Sequence, residues 1–295
     1  MHRYMRAIGF AGLTDRKETQ RLVTDAIINS TNRNYTSYQG DDMIAQFDKE
    51  YAPGIGISVC GMFDAEENFS YDYYYPFLLG TQISSLEDIT VERHAAKESY
   101  AGVCDDMKMG VTLIFYLQNM IPYIRVLKAK ELPLMGTQLS ISGLSVQGSI
   151  ILPIAKNDSD KAKAQKNSTA RKKLLDKARN GDEEAIDTLT MEDWDIYMNL
   201  REKMSDSDVF TLVDTYLMPY GVECDQYSIL GEIIECEKVT NNVSGENVWK
   251  FVLNVNDLIM DVCINELDLV GEPVVGRRFK GVIWMQGMVL HPALL

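Results

Sequence analysis

Apolar residues recur at every second position in many segments of this chain, which is the spacing of a β-strand with one buried face. In the segment FSYDYYYPF, the aromatic residues Phe69, Tyr71, Tyr73, Tyr75 and Phe77 follow this alternation. The polar residues DAEEN separate this segment from GIGISVCGMF, so we expect the two segments to form a β-hairpin. The first half of the chain has no regular alternation of strands and helices. It therefore predicts an α+β domain built on a largely antiparallel sheet.

The composition changes after Ile154, and it predicts a chain of three parts. We expect residues 1–155 to form the α+β domain and residues 156–222 to form a helical connector. The connector has a basic tract followed by an acidic tract, with apolar residues at helical spacing. Residues 223–295 hold four short apolar segments separated by turn sequences, which predicts a small antiparallel β-barrel, either OB-like or SH3-like.

Two segments near the amino terminus predict different elements. The segment RYMRAIGF is interpreted as a strand. The segment TDRKETQRLVTDAIINST places Leu22, Val23, Ala26 and Ile27 on one helical face, so it predicts a helix with Thr14 as its N-cap.

The overall charge narrows the range of partners. The chain of 295 residues has a formal net charge of −14, which repels phosphate and anionic lipid. Nucleic acid is therefore an unfavourable partner, and we expect no membrane partner. The longest apolar run is far below the ~20 residues that cross a bilayer, and the amino terminus does not resemble a secretion signal, which predicts a cytoplasmic protein. The five cysteines form no C-x-x-C motif, and buried thiols are expected.

No motif for catalysis, nucleotide binding or metal binding is recognisable, so the sequence predicts no catalytic residue, cofactor or metal site. The three histidines are His2, His94 and His291, and they lie far apart in the sequence. His94 and Glu98 would share a face on a helix, but His94 follows a strand-like segment. The sequence favours a protein that is not an enzyme, although it does not decide this question.

The segment VGRRFKGVIWMQG near the carboxyl terminus predicts a strand whose two faces are both largely apolar. We expect one face to meet the barrel core and the other to meet another part of the chain or a second copy. The predicted interface residues are Phe279, Val282, Trp284 and Met288. The few cations near them are not enough for a nucleic-acid platform. The preferred hypothesis is therefore a non-enzymatic cytoplasmic binding or assembly protein, with a protein partner or self-association.

The aromatic segment supports an alternative hypothesis. One aromatic strand face can line a small-molecule pocket, although such faces more often fill a core. In this alternative, the chain is a small-molecule-binding protein or an enzyme with an aromatic-lined pocket in its first domain. The predicted ligand-binding residues are Tyr71, Tyr73, Tyr75 and His94.

Three segments carry a resemblance to a known family. They are MHRYMRAIGF, GDEEAIDTLTMEDWDIY and DTYLMPYGVECDQYSILGEI. The chain resembles, over nearly its whole length, a family of uncharacterised full-length proteins of anaerobic Gram-positive bacteria. The resemblance implies a bacterial cytoplasmic protein. Because the family has no assigned activity, the resemblance identifies no functional residue.

Overall fold

A computed structural model of the chain describes residues 2–37, 43–87, 89–93, 99–105, 112–129, 136–153 and 213–294. The chain has two compact units, one made of Met1–Ile151 with Leu217–Leu295 and the other made of Leu152–Tyr216. Most of the second unit lies outside the described residues, and so do residues 156–212 of the predicted helical connector. The described end of that connector is not helical, because Tyr216–Pro219 forms a β-strand. The division of the chain at residues 155 and 222 stays a prediction.

The described part of the first unit is mostly β-structure with few helices, as the α+β prediction requires. Its α-helices are α1 (Arg16–Ile28) and α2 (Met120–Ala129). Helix α1 confirms the predicted helix, but its N-cap is Asp15, whose side chain accepts a hydrogen bond from the backbone N–H of Lys17.

The predicted strand at RYMRAIGF is wrong, because Arg3–Ile8 forms a 3-10 helix. Its buried residues are Tyr4, Met5, Ala7 and Ile8, a spacing that follows a helical turn and not the alternation of a strand. Gly9 ends the helix with φ of 89°, a conformation that glycine adopts without strain.

A four-stranded antiparallel sheet follows α1. Its strands pair in chain order: β1 (Asn32–Ser37), β2 (Met43–Ala52), β3 (Ile55–Phe63) and β4 (Phe69–Leu78). The predicted hairpin is confirmed as β3 and β4. Its turn is stabilised by Asp64, whose carboxylate accepts hydrogen bonds from the backbone N–H groups of Glu66 and Asn68, both at 2.9 Å.

A second sheet has ten strands and runs in the order β13-β8-β12-β11-β10-β14-β7-β6-β5, with β9 paired to β10. Its strands are β5 (Ile89–Arg93), β6 (Tyr100–Cys104), β7 (Leu113–Leu117), β8 (Gln138–Ile151), β9 (Tyr216–Pro219), β10 (Gln226–Thr240), β11 (Asn247–Val255), β12 (Leu258–Asn265), β13 (Leu269–Val270) and β14 (Arg278–Leu290). The four strands predicted near the carboxyl terminus are confirmed as β10, β11, β12 and β14.

The predicted small barrel built by the C-terminal strands alone is not confirmed. Strand β8, which precedes the middle segment of the chain, pairs in parallel with β12 and antiparallel with β14. Strand β14 also pairs with β7. The C-terminal strands therefore share one sheet with strands from the first half of the chain.

A polar joint connects the two sheets, and it is formed by Gln286, Gln118 and Ser142. Strand β4 is an edge strand, so some of its peptide groups have no neighbouring strand to bond. The amide of Gln286 takes that place: its Nε2 donates to Pro76 O at 2.8 Å, and its Oε1 accepts from Leu78 N at 3.3 Å. Leu78 O accepts from Gln118 Nε2 at 2.8 Å and from Ser142 Oγ at 2.7 Å.

Two glycines of VGRRFKGVIWMQG, Gly281 and Gly287, make room for aromatic rings. A Cβ atom at Gly287 would overlap the ring of Phe115, and so would a Cβ atom at Gly102 on the other side of β7. Phe115 is fully buried between these two glycines. The missing side chains on β6 and β14 thus allow a large ring to fill the centre of the sheet.

Candidate functional site

Polar side chains line up across one face of the four-stranded sheet. The strand register places Asn32 opposite Asp48, Asp48 opposite Ser58, and Ser58 opposite Tyr75. Side chains that are opposed in this way on adjacent strands lie next to each other on the same face. One row therefore carries an amide, a carboxyl, a hydroxyl and a phenol.

A cavity of about 170 Å³ lies over this face, and we call it the sheet cavity. Its lining residues come from β1, β2, β4 and the residue after β4, from the β7–α2 connection and from β14: Asn32, Asn34, Gln46, Asp48, Tyr75, Phe77, Leu79, Gln118, Asn119 and Met288. Asn32 is exposed, Asp48 is half-buried, and Gln46 and Tyr75 are buried. This gradient indicates that the cavity opens at the edge strand β1.

Hydrogen bonds fix the polar wall of the sheet cavity. Gln46 Nε2 donates to Asp48 Oδ1 at 3.0 Å and to the backbone carbonyl of Gln118 at 3.2 Å. The Tyr75 hydroxyl donates to the same carbonyl at 3.3 Å. Asn32 Nδ2 donates to Asp48 Oδ2 at 3.3 Å, so each carboxyl oxygen of Asp48 accepts one side-chain hydrogen bond.

Asn119 is held by a reciprocal pair of hydrogen bonds with β14. Its Nδ2 donates to Val289 O at 2.7 Å, and its Oδ1 accepts from Val289 N at 3.1 Å. Gln118 is held through the polar joint, where its Nε2 donates to Gln286 Oε1 at 2.8 Å. The β7–α2 connection, which closes the sheet cavity, is therefore fixed to the second sheet.

Burial changes the acidity of several groups on this face. It raises the pKa of Asp48 above its ordinary value, although the hydrogen bonds from Gln46 and Asn32 and the neighbouring Ser58 hydroxyl lower it. Burial also raises the pKa of Tyr75 well above its ordinary value. The Ser58 hydroxyl is fully buried, and it makes no hydrogen bond of standard geometry to a described residue. Asp48 is thus a partly desolvated carboxyl group beside a buried hydroxyl.

Of the four residues predicted to bind a ligand, Tyr75 lines the sheet cavity. The Tyr73 hydroxyl contacts Met120 Sδ at 3.8 Å, and the Tyr71 hydroxyl donates to Gln20 Oε1 at 2.9 Å near the surface. His94 lies outside the described residues.

Two of the predicted interface residues are buried within the chain. Phe279 is fully buried, and Trp284 is 6% exposed. Trp284 Nε1 donates to Asp225 Oδ2 at 2.7 Å, and its ring stacks on Tyr4 with centroids 5.5 Å apart. Trp284 therefore connects β14 to the N-terminal 3-10 helix. Val282 and Met288 are half-buried, and Met288 lines the sheet cavity.

The sequence interpretation missed Asn32, Asn34, Gln46 and Asp48. A signal for the last two exists in MIAQFDKEYA, where Gln46 and Asp48 occupy alternate positions on either side of Phe47. Polar residues with this spacing lie on one face. The sequence does not show that this face turns inward.

The described residues contain no group of three or more histidine, cysteine, aspartate or glutamate side chains that could hold a metal ion. None of the helices in the described ranges is both long enough and apolar enough to cross a membrane.

The fold and the site define an α+β protein, mainly β-sheet, with a polar cavity over one sheet. The chain belongs to the family described as "Domain of unknown function, E. rectale Gene description (DUF3881)", whose model matches residues 5–287. This family is named for an anaerobic Gram-positive bacterium and has no assigned activity, so the predicted resemblance is confirmed. No curated protein and no solved structure matches the chain.

Proposed function

We propose that this chain is a small-molecule-binding protein whose ligand occupies the sheet cavity. The observation that carries the proposal is the convergence of Asp48, Gln46 and Tyr75 on one cavity with an otherwise partly apolar wall. A few convergent polar groups in a mainly apolar concave surface are typical of ligand sites. This function corresponds to the alternative hypothesis from the sequence.

The size of the sheet cavity supports a small ligand. Its volume of about 170 Å³ is close to that of an engineered cavity of about 150 Å³ in another protein that holds benzene. Sites for drug-sized ligands are larger, at about 300–1,000 Å³. We therefore expect a ligand of roughly five to ten non-hydrogen atoms.

Binding without bond chemistry agrees best with the acidity of the wall. Burial raises the pKa of Tyr75, so its phenol stays protonated at neutral pH and is not a base or a nucleophile. Asp48 is then the remaining acid–base group among the lining residues. One carboxyl group alone makes no catalytic constellation, which supports a non-enzymatic role.

The test is a screen of small polar compounds by ligand-observed NMR, with two variants of β1. Asn32→Trp places a large ring at the mouth of the sheet cavity, and we expect it to abolish binding of any compound that the wild type binds. Tyr35 lies on β1 with its side chain on the opposite face, so Tyr35→Trp is the matched control and should bind as the wild type does. Equal binding by both variants, or no bound compound at all, would contradict the proposal.

Assembly with a protein partner or a second copy is a second candidate function. Exposed apolar residues between β12 and β14 favour it: Leu267 is 70% exposed, Val270 71% and Val275 58%. Of the predicted interface residues, Val282 and Met288 keep partial exposure and stay part of this candidate. Light scattering at micromolar concentration tests it, since a strictly monomeric chain would contradict self-association.

We also propose a cytoplasmic location. All five cysteines are free thiols: Cys60, Cys104, Cys224, Cys236 and Cys263. Free thiols are typical of a reducing compartment, which supports this location.

A small barrel is part of the proposal as well. The pairings β8–β12, β12–β11, β11–β10, β10–β14 and β14–β8 return to their starting strand, and this ring supports closure. In this proposal β8, from the first half of the chain, completes the barrel predicted for residues 223–295.

A further inference from the structure

The described residues that line the sheet cavity include one carboxyl group and no basic side chain. The carboxyl group is that of Asp48, and these described lining residues include no lysine, arginine or histidine. The charge that acts most on Asp48 is that of Glu50, which is also negative. The site therefore presents negative potential without a countercharge from its own wall.

We propose that the ligand is a small organic monocation, whose ammonium or guanidinium group binds Asp48 and whose apolar part packs against Phe77, Leu79 and Met288. This inference rests on the proposed function of the sheet cavity. It names the chemical class of the ligand.

The hydrogen bonds of Asp48 leave room for such a group. A carboxylate offers about four acceptor positions, and Gln46 and Asn32 occupy one on each oxygen. An ammonium or guanidinium donor can use the remaining positions. The aromatic rings of Tyr75 and Phe77 also line the cavity, and aromatic faces attract cations.

Ligands of the other charge types fit less well. An anion would be repelled by Asp48 and Glu50. A neutral ligand would exclude water from Asp48 without supplying a countercharge, which penalises the ionised carboxyl group. A bare metal ion is disfavoured, because the described residues contain no cluster of metal-ligating side chains and the cavity is far larger than one ion.

The inference includes a pH dependence. The titratable groups that face Asp48 are Glu50 on β2, Cys60 on β3 and Tyr75 on β4; its neighbour on β1, Asn32, does not titrate. Burial raises the pKa of the Cys60 thiol to about 12 and that of Tyr75 well above its ordinary value, so both stay neutral below pH 8. A cation binds ionised Asp48, so the affinity should fall as the pH is lowered through the pKa of Asp48.

The experiment compares three probes that share one isobutyl group and differ in their charge, on the full chain, by calorimetry and ligand-observed NMR. The probes are isobutylammonium, neutral isobutanol and the anion isovalerate. We expect saturable binding of isobutylammonium at neutral pH, weaker binding in mildly acidic buffer, and at least about tenfold weaker binding of the other two probes. Asp48→Asn should weaken isobutylammonium binding by about thirtyfold or more, because a buried charge loses its partner.

The control variant is Asp257→Asn, which removes one negative charge from the turn between β11 and β12. Asp257 has φ of 66°, a conformation that asparagine tolerates, and this variant should bind like the wild type. Preferential binding of isobutanol or isovalerate, or unchanged ammonium affinity in Asp48→Asn, overturns the inference and leaves the proposed function standing. If none of the three probes binds, the inference fails, while the wider screen with Asn32→Trp judges the proposed function separately. The pH series on the wild type does not depend on the folding of any variant.

Discussion

The polar joint between the two sheets predicts a large loss of stability when Gln286 is replaced by methionine. Methionine has a similar length and flexibility, so Gln286→Met keeps the volume of the side chain and removes its amide. Gln286 is fully buried, and its amide bonds Pro76 O, Leu78 N and Gln118 Nε2. The substitution therefore isolates the contribution of the hydrogen bonds.

The magnitude follows from the groups that lose a partner. Gln118 Nε2 keeps its bond to Leu78 O at 2.8 Å, so it remains satisfied. Pro76 O and Leu78 N lose the bonds that Gln286 provides on the outer edge of β4. A buried polar group without a partner costs about 1–3 kcal/mol, so two such groups predict a loss of about 2–6 kcal/mol. This is a large part of the roughly 5–15 kcal/mol by which domains are stable.

Urea denaturation measures this loss as a shift of the midpoint at constant m-value. Gln147→Met is the matched control, since Gln147 is exposed on β8, and its free energy of unfolding should change by less than about 0.5 kcal/mol. A loss below about 1 kcal/mol for Gln286→Met, or equal losses for both variants, would refute the role of the joint.

Three further predictions concern Trp284, the cysteines and Asp48. Trp284→Phe removes the hydrogen bond from Nε1 to Asp225, so the free energy of unfolding should fall by about 1.5–3 kcal/mol in urea titrations; no change would mean that this bond contributes nothing. Iodoacetamide at pH 8 should modify exposed Cys224 in the native protein and spare buried Cys60, because burial raises the pKa of the Cys60 thiol to about 12. Mass spectrometry of the labelled peptides measures this. Early labelling of Cys60 would contradict its burial. Burial raises the pKa of Asp48 in the folded state, so its ionisation opposes folding as pH rises above about 4. The stability of Asp48→Asn relative to that of the wild type should therefore increase from acid to neutral pH in thermal melts. A difference in stability that does not change with pH would contradict this.

The periodicity of apolar residues predicted those elements whose buried residues follow a regular spacing within one short segment. Helix α1 buries Val23 and Ala26 from a clear helical face, and the hairpin of β3 and β4 follows from two alternating segments around a polar turn. The 3-10 helix at Arg3–Ile8 was misread, because a short apolar segment fits a strand and a helical turn about equally well.

Long-range pairing was beyond the sequence. Gln138 on β8 pairs with Leu290 on β14, and no local pattern indicates that residues this far apart become neighbours. The candidate site has the same origin, since Met288 reaches it from β14 and Gln118 from the β7–α2 connection. The alternating aromatic strand includes Tyr75, which lies on the face that carries the sheet cavity. Asp48, however, looks like an ordinary solvent-exposed residue until the elements that cover it are known.

The partnership of β8 with β14 also determines when this protein can complete its fold during synthesis. Strand β14 ends at Leu290, so β7 and β8 leave the ribosome long before the strand that pairs with both of them exists. Until then the nascent chain carries strand edges without partners, which are prone to aggregate. Pairing across such a sequence separation is slow, and we expect newly made chains to need protection by chaperones until β14 has emerged.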